Sequence, residues 1–202
     1  LITLKTSAEN SLSDVITKNT LYNNKVNERI SAFNGLKSLS TRLINALQTT
    51  NAIPETDNNA KTFNRKMQGK KASESQPQTD PNATAPNTIS TSQQSYDQLI
   101  QHLSGLKSVL ETEPSYVPNE TDLQVATIEA KITELTDKNT AVATAYANIS
   151  NSRISRNEVL YTNSTALVET ANEVKKYIKS VFGATSPQFA QVKGIEFTKP
   201  RI

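Results

Sequence analysis

The sequence predicts an all-α fold: an elongated antiparallel helical bundle with coiled-coil-like long helices, arranged as two pseudo-repeats. Residues 119–182 contain no Gly or Pro, and apolar residues recur at helical spacing in both halves of the chain. Short sequences also recur, Lys18-Asn19-Thr20 as Lys138-Asn139-Thr140 and Arg29-Ile30-Ser31 as Arg153-Ile154-Ser155. The offset grows from 120 to 124 between these two matches, so the second copy contains about one extra helical turn.

The first long helix is predicted from about Thr6 to Thr49. Its apolar residues advance in steps of three and four, as one face of a helix does. They are Leu12, Val15, Tyr22, Val26, Ile30, Phe33, Leu36, Leu43 and Leu47. Gly35 is the one helix breaker before Pro54, so we expect a single helix with any bend at Gly35.

A shorter helix follows in the first copy. Thr56 or Asp57 is suited to cap its start, and Gly69 is suited to end it after Gln68. The next stretch consists of Ser, Thr, Pro, Gln, Asn and Asp with almost no large apolar residue, which is typical of a linker. The predicted division is a first helical pseudo-repeat, a linker, and a second pseudo-repeat with a short C-terminal helix and tail. These are residues 1–70, 71–91 and 92–202.

The second copy is predicted to begin with a helix from Ser92 to Glu111. Two prolines and a short connection follow, so this helix and the next should form an antiparallel hairpin. Asn119 is the expected N-cap of the next helix, and Gly183 is its expected end.

The long helix of the second copy carries a heptad repeat, which is typical of coiled-coil packing. Its members are Ile128, Leu135, Val142, Ile149, Leu160, Leu167, Val174 and Val181. The longer step from Ile149 to Leu160 has the form of a heptad stutter. We favour one continuous helix over 119–182, because no Gly or Pro supplies a turn. A turn in the polar cluster 148–152 is the open alternative.

The C-terminal end is predicted to form a last short helix from Ser186-Pro187, followed by a strand-like or extended tail at 195–197. The segments 181–189 and 192–197 resemble the C-terminus of a group of bacterial all-helical proteins of unknown function. Three further stretches are similar to that group: 64–70, 89–97 and 113–120. The resemblance implies a self-contained bacterial protein, and it implies no functional residue.

Composition argues against an enzyme. The chain has no Cys, one His (His102) and five Gly, so disulfides, thiolate or imidazole metal sites and Gly-rich phosphate loops are not expected. The hydrophobic content of 35% and the mean hydropathy of −0.52 suit long helices with a narrow apolar seam. We therefore expect no cofactor, no metal and no catalytic residue.

One cluster of basic residues is a candidate anion-binding site. Its members are Lys61, Arg65, Lys66, Lys70 and Lys71. Phosphates of a nucleic acid or of another anionic surface are suitable ligands, because such contacts depend mainly on charge. The alternative is a helix C-terminus with favourable cations. The net charge of +3 does not by itself indicate nucleic acid.

Asn19 and Asn139 occupy equivalent positions on the apolar seams of the two copies. A polar residue in such a seam can set the register or the oligomeric state of the helices. The alternative is a seam that is hydrated at this level.

The sequence thus favours a non-catalytic structural or protein-interaction protein, with self-association through an exposed seam as an open option. The alternatives are nucleic-acid or anionic-surface binding through 61–71, and a membrane-active helical bundle. No run of 18 apolar residues is present, so a transmembrane segment is not expected. The compartment stays open, because a cysteine-free chain suits the cytosol, the periplasm or the exterior. The chain begins with Leu1 and not Met, which is compatible with the removal of a leader.

Overall fold

The computed structural model describes residues 1–69 and 94–199. Within these ranges every regular element is helical, so the all-α prediction is confirmed. The helices are α1 (Ile2–Phe33), α2 (Leu36–Gln48), α3 (Pro54–Gln68), α4 (Tyr96–Glu111), α5 (Val125–Asn157), α6 (Leu167–Phe182) and α7 (Pro187–Lys193). A 3₁₀ turn at Thr121–Leu123 precedes α5, and a π-helical turn at Glu158–Thr162 follows it.

The described residues form two compact units. Unit 1 consists of Leu1–Lys25 with residues 142–199, and unit 2 consists of residues 26–69 and 94–141. Both α1 and α5 contribute residues to each unit. The predicted linker, 71–91, lies outside the described residues, and the division into pseudo-repeats stays a prediction.

The first long helix is divided in two, which corrects the single helix expected from Thr6 to Thr49. α1 ends at Phe33 and α2 begins at Leu36. Gly35 lies between them with a φ of 79°, a left-handed conformation that residues with a Cβ adopt only at a cost. The sequence located this break correctly, but such a glycine ends a helix and does not merely bend it.

The continuous helix expected over 119–182 is also wrong. Asn119 is not its N-cap, because the 3₁₀ turn intervenes and α5 begins at Val125. At the other end, α5 passes into the π-helical turn, and the Oδ1 atom of Asn163 then accepts hydrogen bonds from the backbone N (3.0 Å) and the Oγ1 (2.9 Å) of Thr165. This Asx turn stops the helix without Gly or Pro.

The polar cluster 148–152, the alternative turn, is helical throughout. The Ser152 hydroxyl there is turned toward α1 and donates to the carboxylate of Asp14 (2.6 Å). The polar residue Ser152 therefore takes part in a contact between α5 and α1, and the chain does not reverse there.

Several helix ends agree with the sequence. Gly69 ends α3 in a left-handed conformation, and Gly183 ends α6. α7 starts at the predicted place, where the Ser186 hydroxyl accepts from the Phe189 amide (3.1 Å). α3 begins earlier than expected, with Pro54 in its first turn and not with a cap at Thr56 or Asp57.

Unit 2 contains a continuous apolar core. Its buried members are Ala32, Leu36, Leu43, Ile44, Leu47, Ala60, Met67, Leu103, Leu106, Leu110, Tyr116, Leu123, Ile128 and Leu135. α3 and α4 are antiparallel across this core, since Phe63 packs on Gly105 while Gly69 lies against Gln94. A methyl group on Gly105 would overlap the Phe63 ring, so the glycine permits the close approach of the two helices.

The predicted hairpin of α4 and α5 is present in unit 2. Asp97, near the start of α4, accepts from the amide of Asn139 (2.7 Å). Lys107, near the end of α4, pairs with Glu129 (3.0 Å). The residue numbers run in opposite directions, so the two helices are antiparallel.

Unit 1 is built differently, from the start of α1, the end of α5, and α6 with α7. Tyr22 and Tyr146 have ring centroids 6.0 Å apart, and together with the Asp14–Ser152 bond this places α1 antiparallel to α5. The tail from 195 to 199 forms no regular element and lies on α6. There the Lys175 ammonium donates to the Ile195 carbonyl (2.6 Å), and Glu169 pairs with Lys199 (2.6 Å).

Candidate interaction surfaces

The predicted basic cluster lies partly on α3, with Lys61, Arg65 and Lys66 in the described residues and Lys70 and Lys71 outside them. Lys61 pairs with Asp57 (2.5 Å), and this bond holds the pKa of the carboxyl below its usual value. Arg65 donates within its own helix, to the Thr62 hydroxyl (3.4 Å).

The third described cation of the cluster, the Lys66 ammonium, is 5.8 Å from the centroid of the Phe63 ring. The opposite face of α3 is occupied by the core, with Ala60 and Met67 fully buried. The cluster is thus the outer face of a packed helix whose cations already have intramolecular contacts. Its role in anion binding stays a prediction.

The two predicted register residues have different surroundings. Asn19 is exposed on α1 in unit 1. Asn139 is half-buried in unit 2, where its Oδ1 accepts from an Nη1 of Arg29 (3.0 Å) and its amide donates to Asp97 (2.7 Å). One amide therefore connects α1, α4 and α5, which is the arrangement that a register-setting residue requires.

Aromatic and charged contacts surround this amide. The Arg29 guanidinium lies 4.0 Å from the centroid of the Tyr96 ring, and that ring meets Phe33 edge-on at 4.7 Å. Lys138, the residue before Asn139 on α5, pairs with Glu28 of α1 (2.8 Å). This contact raises the pKa of the lysine. Sequence reasoning singled out the amide, but its partners are distant in the sequence and were missed.

A polar cleft of about 750 Å³ opens in unit 2 between the end of α2 and the segment before α5. Asn45, Thr49, Asn51, Ser115 and Asn119 contribute to its lining. The phenol of Tyr116 at its wall donates to the Leu123 carbonyl (2.8 Å), and burial raises the pKa of that phenol to about 12.

The charged pair beside this cleft is Arg42 with Asp122, joined by two hydrogen bonds, one of them 3.2 Å long. Their pairing lowers the pKa of the carboxyl and raises that of the guanidinium.

His102 of α4 is buried, and Lys66 of α3 is nearby. The histidine is 6% exposed, and its Nε2 has no hydrogen-bond partner among the described residues. Burial, with the nearby Lys66 charge, lowers the pKa of its imidazole. No group of His, Asp and Glu residues suited to a metal ion occurs within 1–69 and 94–199.

Comparisons with protein-family models, curated proteins and solved structures give no match for this chain. In the part of the chain that the structure describes, no helix has the length and apolarity needed to cross a membrane.

Exposed large apolar residues are concentrated in unit 1. Across 1–69 and 94–199, unit 2 has Ile30, Ile53 and Val117 in this class. The remaining members belong to unit 1: Leu1, Ile2, Leu12, Ile16, Leu21, Tyr146, Ile154, Tyr177, Val181, Phe182, Ile195 and Phe197. We call Leu12, Ile16, Tyr146 and Ile154, on α1 and α5, the α1–α5 apolar surface.

Replacing Asn139 by Ala should destabilise the protein by about 1–2 kcal/mol, because the half-buried Arg29 loses its hydrogen-bond acceptor. Asn19→Ala is the matched control and should change the free energy of unfolding by less than about 0.5 kcal/mol. Urea unfolding followed by circular dichroism measures both. Equal effects of the two substitutions would contradict the assigned role of Asn139.

His102 predicts a specific pH dependence of stability. Its pKa in the folded state lies below the ordinary 6.5, so the unfolded chain binds the proton more tightly. The stabilising contribution is complete above pH 6.5 and is lost as the pH falls through the lowered pKa. Unfolding free energies measured between about pH 7 and about pH 5 should therefore fall more steeply for the wild type than for His102→Gln. Parallel curves would contradict this account.

Proposed function

We propose that the chain is a non-catalytic helical-bundle protein that binds another protein through the α1–α5 apolar surface. A second copy of the chain is the first partner to test. The sequence favours a structural or interaction protein, and we propose the α1–α5 apolar surface as its binding surface.

The contrast between the two units supports the proposal. The buried apolar residues of unit 2 form a core shared by α2, α3, α4 and α5. The residues buried in unit 1 are few: Ala8, Val142, Ile149, Ser152, Leu160, Ala166 and Val168. Ile16 and Ile154 meanwhile keep 68% and 57% of their surface exposed. Single exposed apolar residues are ordinary, but a concentration of them in one unit is typical of an interaction surface.

The helix geometry adds a second argument. Asp14 bonds Ser152, so Leu12 and Ile154, each two residues away in opposite directions, lie at the same level of the antiparallel pair. Each is directed away from this contact, because residues two positions apart on a helix do not share a face. Ile16 follows Leu12 by one turn of α1. A partner helix laid along α1 would cover Leu12 and Ile16 together, which is how an amphipathic helix commonly docks.

The test is the solution mass, from light scattering coupled to gel filtration over a range of concentrations, with small-angle scattering at low and high salt. The wild type should form an oligomer that persists at high salt, because apolar contacts are not screened. Leu12→Gln with Ile16→Gln should weaken assembly about tenfold or more. Each substitution removes about 1 kcal/mol of binding free energy, because the apolar side chain would be partly buried in the assembly.

Ile30→Gln is the matched control, since Ile30 is an exposed residue of the same helix in unit 2. It should leave the mass unchanged. A wild type that stays monomeric at all concentrations would contradict self-association. Loss of assembly in the Ile30 variant alone would contradict the assigned surface.

A further inference from the structure

We infer that the second half of α6, with α7 and the tail to Lys199, forms a surface that binds anionic lipid bilayers from one side, without spanning them. We call this region, residues 175–199, the α6–α7 basic surface. It is separate from the α1–α5 apolar surface, and the inference does not rest on the proposed function.

Apolar side chains project from the end of α6. Tyr177, Val181 and Phe182 are 70%, 54% and 52% exposed. Phe182 follows Lys179 by three positions, so these two side chains lie on the same face of α6. Tyr177 and Val181 are one helical turn apart and lie on another face of the helix. In the tail, Ile195 and Phe197 are exposed as well. A flat bilayer can accept such residues from neighbouring elements, because it needs no complementary groove.

The charge of this region is the second observation. Residues 175–199 contain five Lys and one acidic residue, Glu196, for a net charge of 5 − 1 = +4. The whole chain has a net charge of +3, so the other residues together carry 3 − 4 = −1. Essentially all of the positive excess of the protein therefore lies in this segment, and it complements an anionic surface.

The positions of the lysines fit this role. Two of the lysines have partners within unit 1: Lys175 donates to the Ile195 carbonyl of the tail, and Lys199 pairs with Glu169. Lys176, Lys179 and Lys193 are exposed, and the Lys179 ammonium is 5.9 Å from the centroid of the Phe189 ring.

The lysine contacts fix the tail against α6 and leave a cleft of about 390 Å³ between α6 and α7, beside Lys176 and Lys179. Glu169 also lines this cleft, and its carboxylate is already paired with Lys199, so Lys176 and Lys179 are the cations that a headgroup phosphate would meet.

Lipid is favoured over a protein partner by the combination of residue types. Phe182 and Phe189 lie beside Lys179, and aromatic residues beside lysines with long aliphatic stems are typical of helices that lie at a bilayer interface. Few apolar residues are available, so neutral lipid alone should bind weakly and the lysines should supply most of the affinity. The same face covered by a second copy of the chain is the competing outcome.

The test uses the full chain and vesicles of phosphatidylcholine, with and without roughly one third phosphatidylserine. The chain has no Trp, so Phe182→Trp introduces a single reporter. Its emission should shift to shorter wavelength with the anionic vesicles, and binding should weaken as salt rises. Val117→Trp, an exposed position in unit 2, is the control and should not shift.

Lys176→Gln with Lys179→Gln should weaken vesicle binding about 30-fold, and Arg65→Gln with Lys66→Gln, an equal change of charge on α3, should weaken it far less. Three results would overturn the inference: no binding to anionic vesicles at low salt, loss of binding in the α3 variant and not in the α6 variant, or a Phe182→Trp shift that follows protein concentration and not lipid. The substituted side chains are on the surface, and circular dichroism checks that each variant is folded.

Discussion

The close approach of α3 and α4 is the contact on which the core of unit 2 depends. Gly105 has no Cβ, and the Phe63 ring occupies the space that a methyl group would fill. This approach allows Met67 and Leu103 to reach full burial. In the same helix pair Arg65 and Lys66 of α3 are exposed, and His102 of α4 is buried.

The two units use similar long helices with different results. In unit 2, α2, α3 and α4 supply large side chains that cover the apolar residues of α5, such as Ile128 and Leu135. In unit 1, the packed positions of α1 and α5 include the small residues Ala8 and Ser152. Small residues bury little area, and larger apolar side chains on the flanks stay exposed. An incompletely covered apolar surface is the physical basis of the proposed protein interaction, whereas the proposed lipid interaction depends mainly on the lysines of α6 and α7.

Much of the core was readable from the sequence, because helical periodicity selects one face regardless of the partner. The heptad residues from Ile128 to Leu160 are all buried. The series fails after Asn163, since an Asx turn reorients the chain and Val181 is exposed at the end of α6. α1 ends at Phe33 and α5 ends at Asn157. These two residues are 124 positions apart in the sequence, which is also the offset between Arg29 and Arg153.

The sites were less readable. Asn139 could be selected as a polar residue in a seam, but its bonds to Arg29 and Asp97 depend on how three helices meet. The cleft beside Tyr116 depends on an irregular segment, for which the sequence has no periodic signal. The basic region of α6 and α7 was not singled out from the sequence, because tertiary contacts bring the Lys193 carbonyl to Lys175 and Lys199 to Glu169.

Hydrogen exchange measured at several protein concentrations tests most directly whether unit 2 is complete on its own and unit 1 is completed by a partner. We expect amides in α3 and α4 to be strongly protected at every concentration, because their core is internal. Amides in the part of α1 before Lys25 and in the part of α5 after Val142 should be less protected in dilute solution and should gain protection as the concentration rises. Equal protection of both units at all concentrations would contradict the account.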